Sequence, residues 1–170
     1  KTLLILPGSR RSEVRKLIEP FGATVSLLRA RGHRLRLLLP TVPHVAELVR
    51  SAVADWEQQP EITVDQEQKW QAFGQADAAL IASGTVSLEL ALSGVPMISC
   101  YKLDPLARSI ARRALIAWSA SLPNLIADKP LVPERYDEFV YPPVIARELE
   151  SLFADTGMRA WQKAGFAEVA

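Results

Sequence analysis

The apolar residues of this chain fall into short continuous runs that alternate with segments of helical spacing. Each run is bounded by turn residues, which is typical of strands buried in a parallel sheet. The predicted strands cover residues 2–6, 34–39, 61–64, 78–82 and 96–100.

Helical spacing links the apolar positions between the predicted strands. In the first such segment, apolar residues from Val14 to Leu28 lie on one face of a helix. Pro20 falls inside this helix, so we expect a kink or a restart there, and Gly32 marks its end. The other predicted helices cover residues 42–56, 67–74, 86–93, 105–118 and 144–154.

This alternation predicts an α/β fold with a doubly wound, mostly parallel sheet of the Rossmann type and right-handed crossovers. The 170 residues suffice for a sizeable core and contain no internal linker, so we assign residues 1–170 to a single domain. The proline-rich stretch 130–143 is expected to be an irregular connection. A strand follows directly after Lys1, and we therefore expect a further domain upstream in a longer protein.

Composition excludes several classes of protein. The chain is 49% hydrophobic and 23% charged, as an ordinary soluble domain is, and no stretch resembles a membrane span or a signal peptide.

Cys100 is the single cysteine, which excludes an internal disulfide and indicates a reducing compartment; we expect it to be a small buried residue. His33 and His44 have no accompanying cysteine or acidic cluster, so no metal site is predicted. Aromatic and basic residues are not interleaved, and no nucleic-acid partner is expected.

Charge is distributed unevenly along the chain. Residues 1–36 hold nine basic and two acidic residues, although the net charge of the whole chain is only +1. A basic first third favours an anionic ligand or an anionic surface. The alternative is that these side chains are merely solvated on helix faces, which accounts for Arg29, Arg31, Arg34 and Arg36.

The first strand ends at a turn that is suited to binding phosphate. In open α/β sheets, ligands bind at the carboxyl ends of the strands. Gly8 and Ser9 form the turn, and the N–H groups and dipole of the following helix attract anions. Arg10 and Arg11 bring guanidinium groups to the same place.

A second candidate site follows the fourth predicted strand. Gly84 allows a ligand to approach the backbone, and Ser83 and Thr85 offer hydroxyl groups to a phosphate. Glu89 lies one turn into the helix, where its carboxylate could accept the hydroxyls of a ribose. The alternative is a capping arrangement in which Glu89 interacts with the first-turn N–H groups.

Two further segments carry weaker signals. The amide of Asn124 could meet a sugar or phosphate, or could only stabilise a turn. The helix that begins after Asp104 combines Arg108, Arg112 and Arg113 with apolar residues up to Trp118. Such a helix could lie on an anionic membrane, or could pack its apolar stripe on the domain.

Four motifs together resemble the C-terminal half of lipid-A-disaccharide synthases. They are Leu-Pro-Gly-Ser-Arg-Arg-Ser-Glu at 6–13, Ala-Ser-Gly-Thr-Val-Ser-Leu-Glu at 82–89, Gly-Val-Pro-Met-Ile at 94–98 and Ser-Leu-Pro-Asn-Leu-Ile-Ala at 121–127. The resemblance implies one half of a GT-B type glycosyltransferase, namely the UDP-sugar domain, with the N-terminal acceptor domain absent from this chain. The family is bacterial and acts in lipid A biosynthesis.

The resemblance also implies a reaction. The family transfers 2,3-diacylglucosamine from UDP to 2,3-diacylglucosamine 1-phosphate with inversion, and it needs no metal or other cofactor. The implied location is cytoplasmic and peripheral, at the inner face of the inner membrane. The helix containing Arg108, Arg112 and Arg113 would then contact the membrane.

Site residues carry over from the family by position. Gly8, Ser9 and Arg10 would hold the diphosphate, with Arg10 as the catalytic residue that offsets charge on the leaving group. Three residues would line the opposite side, and two would contact the sugars. These are Ser83, Gly84 and Thr85 for the lining, Glu89 for the ribose hydroxyls, and Asn124 for the sugar or phosphate. Uracil would be recognised by backbone near the ends of the third and fourth strands.

The sequence departs from the family after residue 134, where Arg135-Tyr136-Asp137 replaces the usual continuation. Alternative functions are another UDP-sugar transferase, a UDP-N-acetylglucosamine 2-epimerase, or a chain that binds UDP without turnover. The epimerase would call for Ser-Gly-Gly followed by paired acidic residues. This chain has Ser83, Gly84 and Thr85 with Glu89, which argues against it.

Overall fold

The computed structural model describes residues 1–103 and 118–170 of the chain. At its centre is a six-stranded sheet whose neighbouring strands are parallel. The strands are β1 (Thr2–Leu6), β2 (Arg36–Pro40), β3 (Glu61–Thr63), β4 (Ala78–Ala82), β5 (Met97–Tyr101) and β6 (Glu134–Tyr136). Their order is β3-β2-β1-β4-β5-β6, so the winding direction reverses between β1 and β4. This order confirms the predicted doubly wound, Rossmann-like sheet.

Helices cover both faces of the sheet. The described helices are α1 (Arg11–Ala30), α2 (Pro43–Val53), α3 (Gln66–Gln75), α4 (Val86–Leu92), α5 (Leu122–Ala127), α6 (Pro142–Phe153) and α7 (Gly157–Val169). Helices α1, α2 and α6 share one core, and α3, α4 and α7 share the other. In β1, Leu3 and Ile5 belong to the first core and Leu4 and Leu6 to the second, because successive strand residues point to opposite faces.

Pro20 does not interrupt the first helix. We expected a kink or a restart at Pro20; a single helix runs from Arg11 to Ala30, so the restart was wrong, and the kink stays a prediction. Leu17 and Phe21 are buried on either side of the proline, and this packing holds the helix together against the lost backbone hydrogen bond. The hydroxyl of Thr24 also donates to the Pro20 carbonyl at 2.8 Å.

The stretch 130–143 is more regular than expected. It contains β6, which pairs with β5, and a short 3₁₀ helix (Asp137–Phe139) before α6 begins. The expectation of an irregular connection was therefore wrong. No apolar run marks the strand Glu134–Tyr136 in the sequence, because two of its three residues are charged.

Three further expectations concern Cys100, the predicted helix 105–118 and the absence of membrane spans. Cys100 is buried, as predicted, and burial raises the pKa of its thiol to about 12. The predicted helix 105–118 lies outside the described residues except for Trp118. Among the described helices, none is long and apolar enough to cross a membrane.

Candidate functional site

A cleft of about 470 Å³ opens at the carboxyl ends of β1, β2, β3 and β4. This is where the winding of the sheet reverses, the position at which open α/β sheets bind ligands. The loops after the four strands form its walls together with side chains of α3 and α4. The cleft brings together these sequence-predicted site residues: Gly8, Ser9, Arg10, Ser83, Gly84, Thr85 and Glu89.

A second depression is larger, about 1020 Å³, and more open. It is lined by Ala30, Gly32 and Arg34, which precede β2 and therefore lie at the amino end of that strand. Ligand-binding loops of parallel sheets lie at the other end. The smaller cleft is therefore the candidate site.

Gly8 makes the turn from β1 into α1. Its φ is +116°, and a Cβ atom there would lie 2.6 Å from the Cβ and Oε2 atoms of Glu13. A side chain at position 8 would therefore strain the backbone and displace Glu13. Glycine is required here because Glu13 folds back over the turn.

Glu13 also binds Arg10, which is the N-cap residue of α1. Glu13 Oε2 accepts the backbone N–H of Arg10 at 3.3 Å, and Oε1 accepts from Arg10 Nη1 at 3.0 Å. The Arg10 side chain is 77% exposed, and such an exposed ion pair contributes little to stability, so an anionic ligand can compete for the guanidinium. Glutamate at the third helical position is a signal of this capping arrangement, and sequence reasoning missed it.

His44 supports the same turn from α2. Its Nε2 atom lies 2.7 Å from the carbonyl oxygen of Ser9. A carbonyl can only accept, so Nε2 carries the proton of this bond. The side chain of His44 is exposed, yet this bond anchors the turn after β1.

The turn from β4 into α4 forms another wall of the cleft. Ser83 Oγ donates to the Ala120 carbonyl at 3.4 Å, and Ser87 Oγ donates to the Gly84 carbonyl at 2.7 Å. Thr85 is the N-cap residue of α4, but its side chain makes no capping hydrogen bond. The hydroxyl of Thr85 is therefore not used to cap α4.

Glu89 is bound by a lysine that sequence reasoning missed. Lys69 Nζ donates to Glu89 Oε2 at 2.6 Å, and both residues line the cleft. This places Glu89 in an ion pair, in contrast to the predicted alternative of first-turn capping. The two residues are 20 positions apart and come from α3 and α4, so no local spacing could have indicated the pair.

Asn124 is not brought into this cleft. It is 1% exposed, and its amide accepts the N–H of Val132 at 2.8 Å and donates to the carbonyl of Val132 at 3.0 Å. Both ends of the amide are thus used on one backbone segment. This geometry corresponds to the turn-stabilising alternative and not to a direct ligand contact.

Asn124 nevertheless belongs to a network that reaches Ser83. The Nδ2 atom of Asn124 lies 3.5 Å from Oε2 of Glu134. The carboxylate of Glu134 also accepts two other bonds: Oε2 accepts the hydroxyl of Ser119 at 2.6 Å, and Oε1 accepts the backbone N–H of Ala120 at 2.9 Å. The Tyr136 hydroxyl donates to the same carboxylate at 2.6 Å. The pKa of Tyr136 is raised, mainly by burial and secondly by this hydrogen bond to Glu134. Since the Ala120 carbonyl accepts from Ser83, the network holds one wall of the cleft.

The arginines of the predicted membrane-contacting helix do not belong to the described cleft. Arg108, Arg112 and Arg113 lie outside the described residues. Trp118, at the end of the same predicted helix, is 55% exposed. Across residues 1–103 and 118–170, no three His, Cys, Asp or Glu side chains are grouped as a metal ion would require.

Comparison with known proteins identifies the family. The family model described as lipid-A-disaccharide synthetase matches residues 1–167. The chain belongs to the lipid-A-disaccharide synthase family. The family resemblance of the sequence motifs is thereby confirmed, and the family is one of glycosyltransferases in lipid A biosynthesis.

Curated relatives agree over nearly the whole chain. The lipid-A-disaccharide synthase of Bradyrhizobium diazoefficiens is 43% identical over 98% of this chain. That of Rhodopseudomonas palustris is 44% identical over 98%, and that of Rhodospirillum centenum 41% over 99%. The chain spans 42–43% of the length of these three relatives.

Solved structures share the fold at low identity. A protein from Listeria monocytogenes assigned as a UDP-N-acetylglucosamine 2-epimerase gives a TM-score of 0.59 at 13% identity, covering 97% of this chain and 40% of its own. MurG of Acinetobacter baumannii gives 0.55 at 17% identity, covering 99% and 46%. These likenesses concern the fold alone, and they confirm that the chain has the Rossmann-like architecture of one half of a GT-B type protein.

Proposed function

We propose that the cleft binds the nucleotide of a UDP-sugar and that the chain is the donor domain of an inverting glycosyltransferase. In the proposed reaction, 2,3-diacylglucosamine passes from UDP to 2,3-diacylglucosamine 1-phosphate, and the products are a β-linked disaccharide and UDP. One observation carries the proposal: the turn at residues 8–10 and the turn at residues 83–85 line a single cleft at the switch point of the sheet.

The first turn would stabilise the departing diphosphate. Breaking the bond between the sugar and UDP leaves negative charge on the diphosphate. The N-terminal N–H groups and dipole of α1, which begins at Arg11, favour an anion at this place. Arg10 is the proposed catalytic residue because its guanidinium would offset the charge that develops on the leaving group. Neither a metal nor another cofactor takes part in the proposed mechanism.

The remaining cleft residues would hold the nucleoside. Ser83, Gly84 and Thr85 would bind from the second turn, with Thr85 offering a hydroxyl that is not used for capping. Glu89 would accept the ribose hydroxyls. Val64 after β3 lies in the lining together with Ala82 at the end of β4, which supports recognition of uracil by backbone at these two strand ends.

Other parts of the reaction need groups beyond this cleft. We assign the acceptor site and the general base to an N-terminal domain of the whole protein, since the chain spans 43% of the length of its Bradyrhizobium relative. Both substrates are lipids, so we place the protein at the cytoplasmic face of the inner membrane. The arginines Arg108, Arg112 and Arg113 are the proposed membrane contact. Their replacement by alanine should reduce co-sedimentation with vesicles that contain anionic lipid.

Calorimetric titration of the purified chain with UDP tests the proposal. Arg10→Ala should weaken UDP binding by about 10- to 100-fold, the effect of one lost charged hydrogen bond. Arg50→Ala is the matched control, because it removes the same charge from an exposed side chain on α2 outside the cleft lining. Equal affinities of the two variants would contradict the assignment of Arg10.

A further inference from the structure

The ion pair of Lys69 and Glu89 lies inside the proposed nucleotide cleft. Lys69 Nζ donates to Glu89 Oε2 at 2.6 Å, and the two side chains are 21% and 36% exposed. Glu89 lies on α4 and Lys69 on α3. The pair therefore joins the helices that follow β3 and β4, and both helices contribute to the lining of the cleft.

The environment of Lys69 fixes its ammonium group. The Nζ atom lies 5.0 Å from the centre of the Trp70 ring and 5.4 Å from that of Phe73. Phe73 is buried in the core, and Asp65 caps α3 by accepting the N–H of Gln68 at 2.9 Å. The ammonium is held by ring faces, by a carboxylate and by a helix that is itself anchored.

The pair changes what Glu89 can do. A carboxylate has acceptor capacity for about four hydrogen bonds, so the bond to Lys69 leaves capacity for two further hydroxyls. The positive charge of Lys69 also offsets repulsion between Glu89 and a diphosphate in the same cleft. Without Lys69, the carboxylate would lose both its fixed orientation and this compensation.

We propose that Lys69 is a positioning residue that holds Glu89 for the two adjacent hydroxyls of a ribose and thereby makes the cleft selective for ribonucleotides. The inference rests on the proposed function, because it takes a nucleoside diphosphate as the ligand. It adds a residue from α3, a helix that contributes none of the site residues expected from sequence.

The test compares binding of UDP with binding of 2′-deoxyuridine diphosphate by calorimetry. The unaltered chain should bind the deoxynucleotide about 10-fold more weakly, because Glu89 loses one of its partners. Lys69→Met keeps the length and apolar stem of the side chain, and it should bring the two affinities to within about 3-fold of each other. Lys163→Met, on an exposed position of α7, is the control that should leave the ratio unchanged.

Two further variants separate the roles of the residues. Glu89→Gln should abolish the discrimination by itself, and adding Lys69→Met to it should change the ratio no further, because the lysine acts through the carboxylate. Thermal unfolding confirms that each variant is folded. Lys69→Gln serves in place of the methionine variant if that one is unstable.

The possible results distinguish the two proposals. Equal affinities of the unaltered chain for the two nucleotides would overturn the ribose contact and with it the role of Lys69. Discrimination that survives Lys69→Met would overturn the role of Lys69 alone. A loss of affinity for both nucleotides at a constant ratio would also overturn it, since the lysine would then act on the diphosphate.

Discussion

The side-chain amide of Asn124 bonds both polar groups of the Val132 backbone, at 2.8 Å to the N–H and 3.0 Å to the carbonyl. Asn124 begins a network through Glu134 that ends at Ser83 in the cleft. Asn124 thus supports the wall of the cleft at Ser83 indirectly, through hydrogen bonds that hold the neighbouring loops.

The first prediction is that Asn124→Ala lowers stability more than it lowers ligand affinity. The substitution leaves the N–H and the carbonyl of Val132 without partners in a buried place, which costs about 2–4 kcal/mol of unfolding free energy. Denaturant unfolding measures this loss. UDP affinity, measured well below the unfolding midpoint, should fall by less than about 3-fold, because the network is indirect. A far larger loss in the folded variant would show that Asn124 contacts the ligand, as the family resemblance implies.

The second prediction concerns the tight turn at Gly8. Gly8→Ala places a Cβ against Glu13 and requires a positive φ, so it should cost about 1–3 kcal/mol in stability and distort the turn after β1. UDP affinity should fall by about 10-fold or more, the effect of losing a charged hydrogen bond.

Gly32→Ala is the control for this glycine. Gly32 also has a positive φ, of +91°, but nothing lies within 4 Å of a Cβ there. Gly32→Ala should strain the backbone, because φ is positive, but should cause no steric clash of the kind expected with Glu13 at position 8. It should leave UDP affinity unchanged. If both variants reduce affinity equally, the effect is general instability and the account of the turn is wrong.

A third prediction concerns His44, which donates to the Ser9 carbonyl. His44→Ala should loosen the turn and weaken UDP binding by about 3- to 10-fold, as expected for a neutral hydrogen bond. His44→Gln retains an N–H donor and should recover part of this loss. An unchanged affinity in His44→Ala, measured by calorimetry, would mean that the turn is held without the histidine.

A fourth prediction concerns pH. Burial alone would raise the pKa of Asp77, but the Thr2 backbone N–H, which donates to it at 2.7 Å, and the charge of Lys1 hold that pKa below its ordinary value. A carboxylate with a lowered pKa stabilises the folded state above the pKa of the unfolded chain, about 3.9. This contribution is lost as the pH falls through the lower pKa of the folded state.

Asp77→Asn should therefore be less stable than the unaltered chain at neutral pH by about 1–2 kcal/mol. The difference should shrink as the pH falls below about 4. Urea unfolding at a series of pH values measures it. A difference that is constant with pH would exclude the carboxylate as its source.

The sequence predicts local features of this protein better than tertiary ones. The turn at Gly8 and Arg10 and the turn at Ser83–Thr85 could be located because strand ends, glycine and helix starts have local signatures. Lys69 could not, since only the pairing of α3 with α4 brings it to Glu89. For Asn124, the family resemblance implies a ligand contact, whereas the residues alone left a turn-stabilising role open. Its bonds to the backbone of Val132 depend on the fold of the loop and could not be located from the neighbouring residues.

The same difference between local and tertiary features applies to the prediction of the fold. The four strands of five residues have apolar runs that the pattern detects, and the short β3 lies within the predicted segment 61–64. By contrast, β6 is defined by its pairing with β5 and has no apolar run of its own. Pro20 was expected to affect the helix because proline disfavours helix interiors. Burial of Leu17 and Phe21 outweighs that local preference.

An NMR titration of the isotopically labelled chain with UDP, following the backbone amide signals, tests directly whether the cleft between the two turns binds the nucleotide. If the cleft binds the nucleotide, saturable shifts are expected for Gly8 and Ser9 on one turn and for Gly84 and Thr85 on the other, with little change at Gly32 beside the larger depression. Shifts confined to Gly32 and its neighbours, or no saturable shifts at either turn, would contradict the claim that this cleft is the nucleotide site.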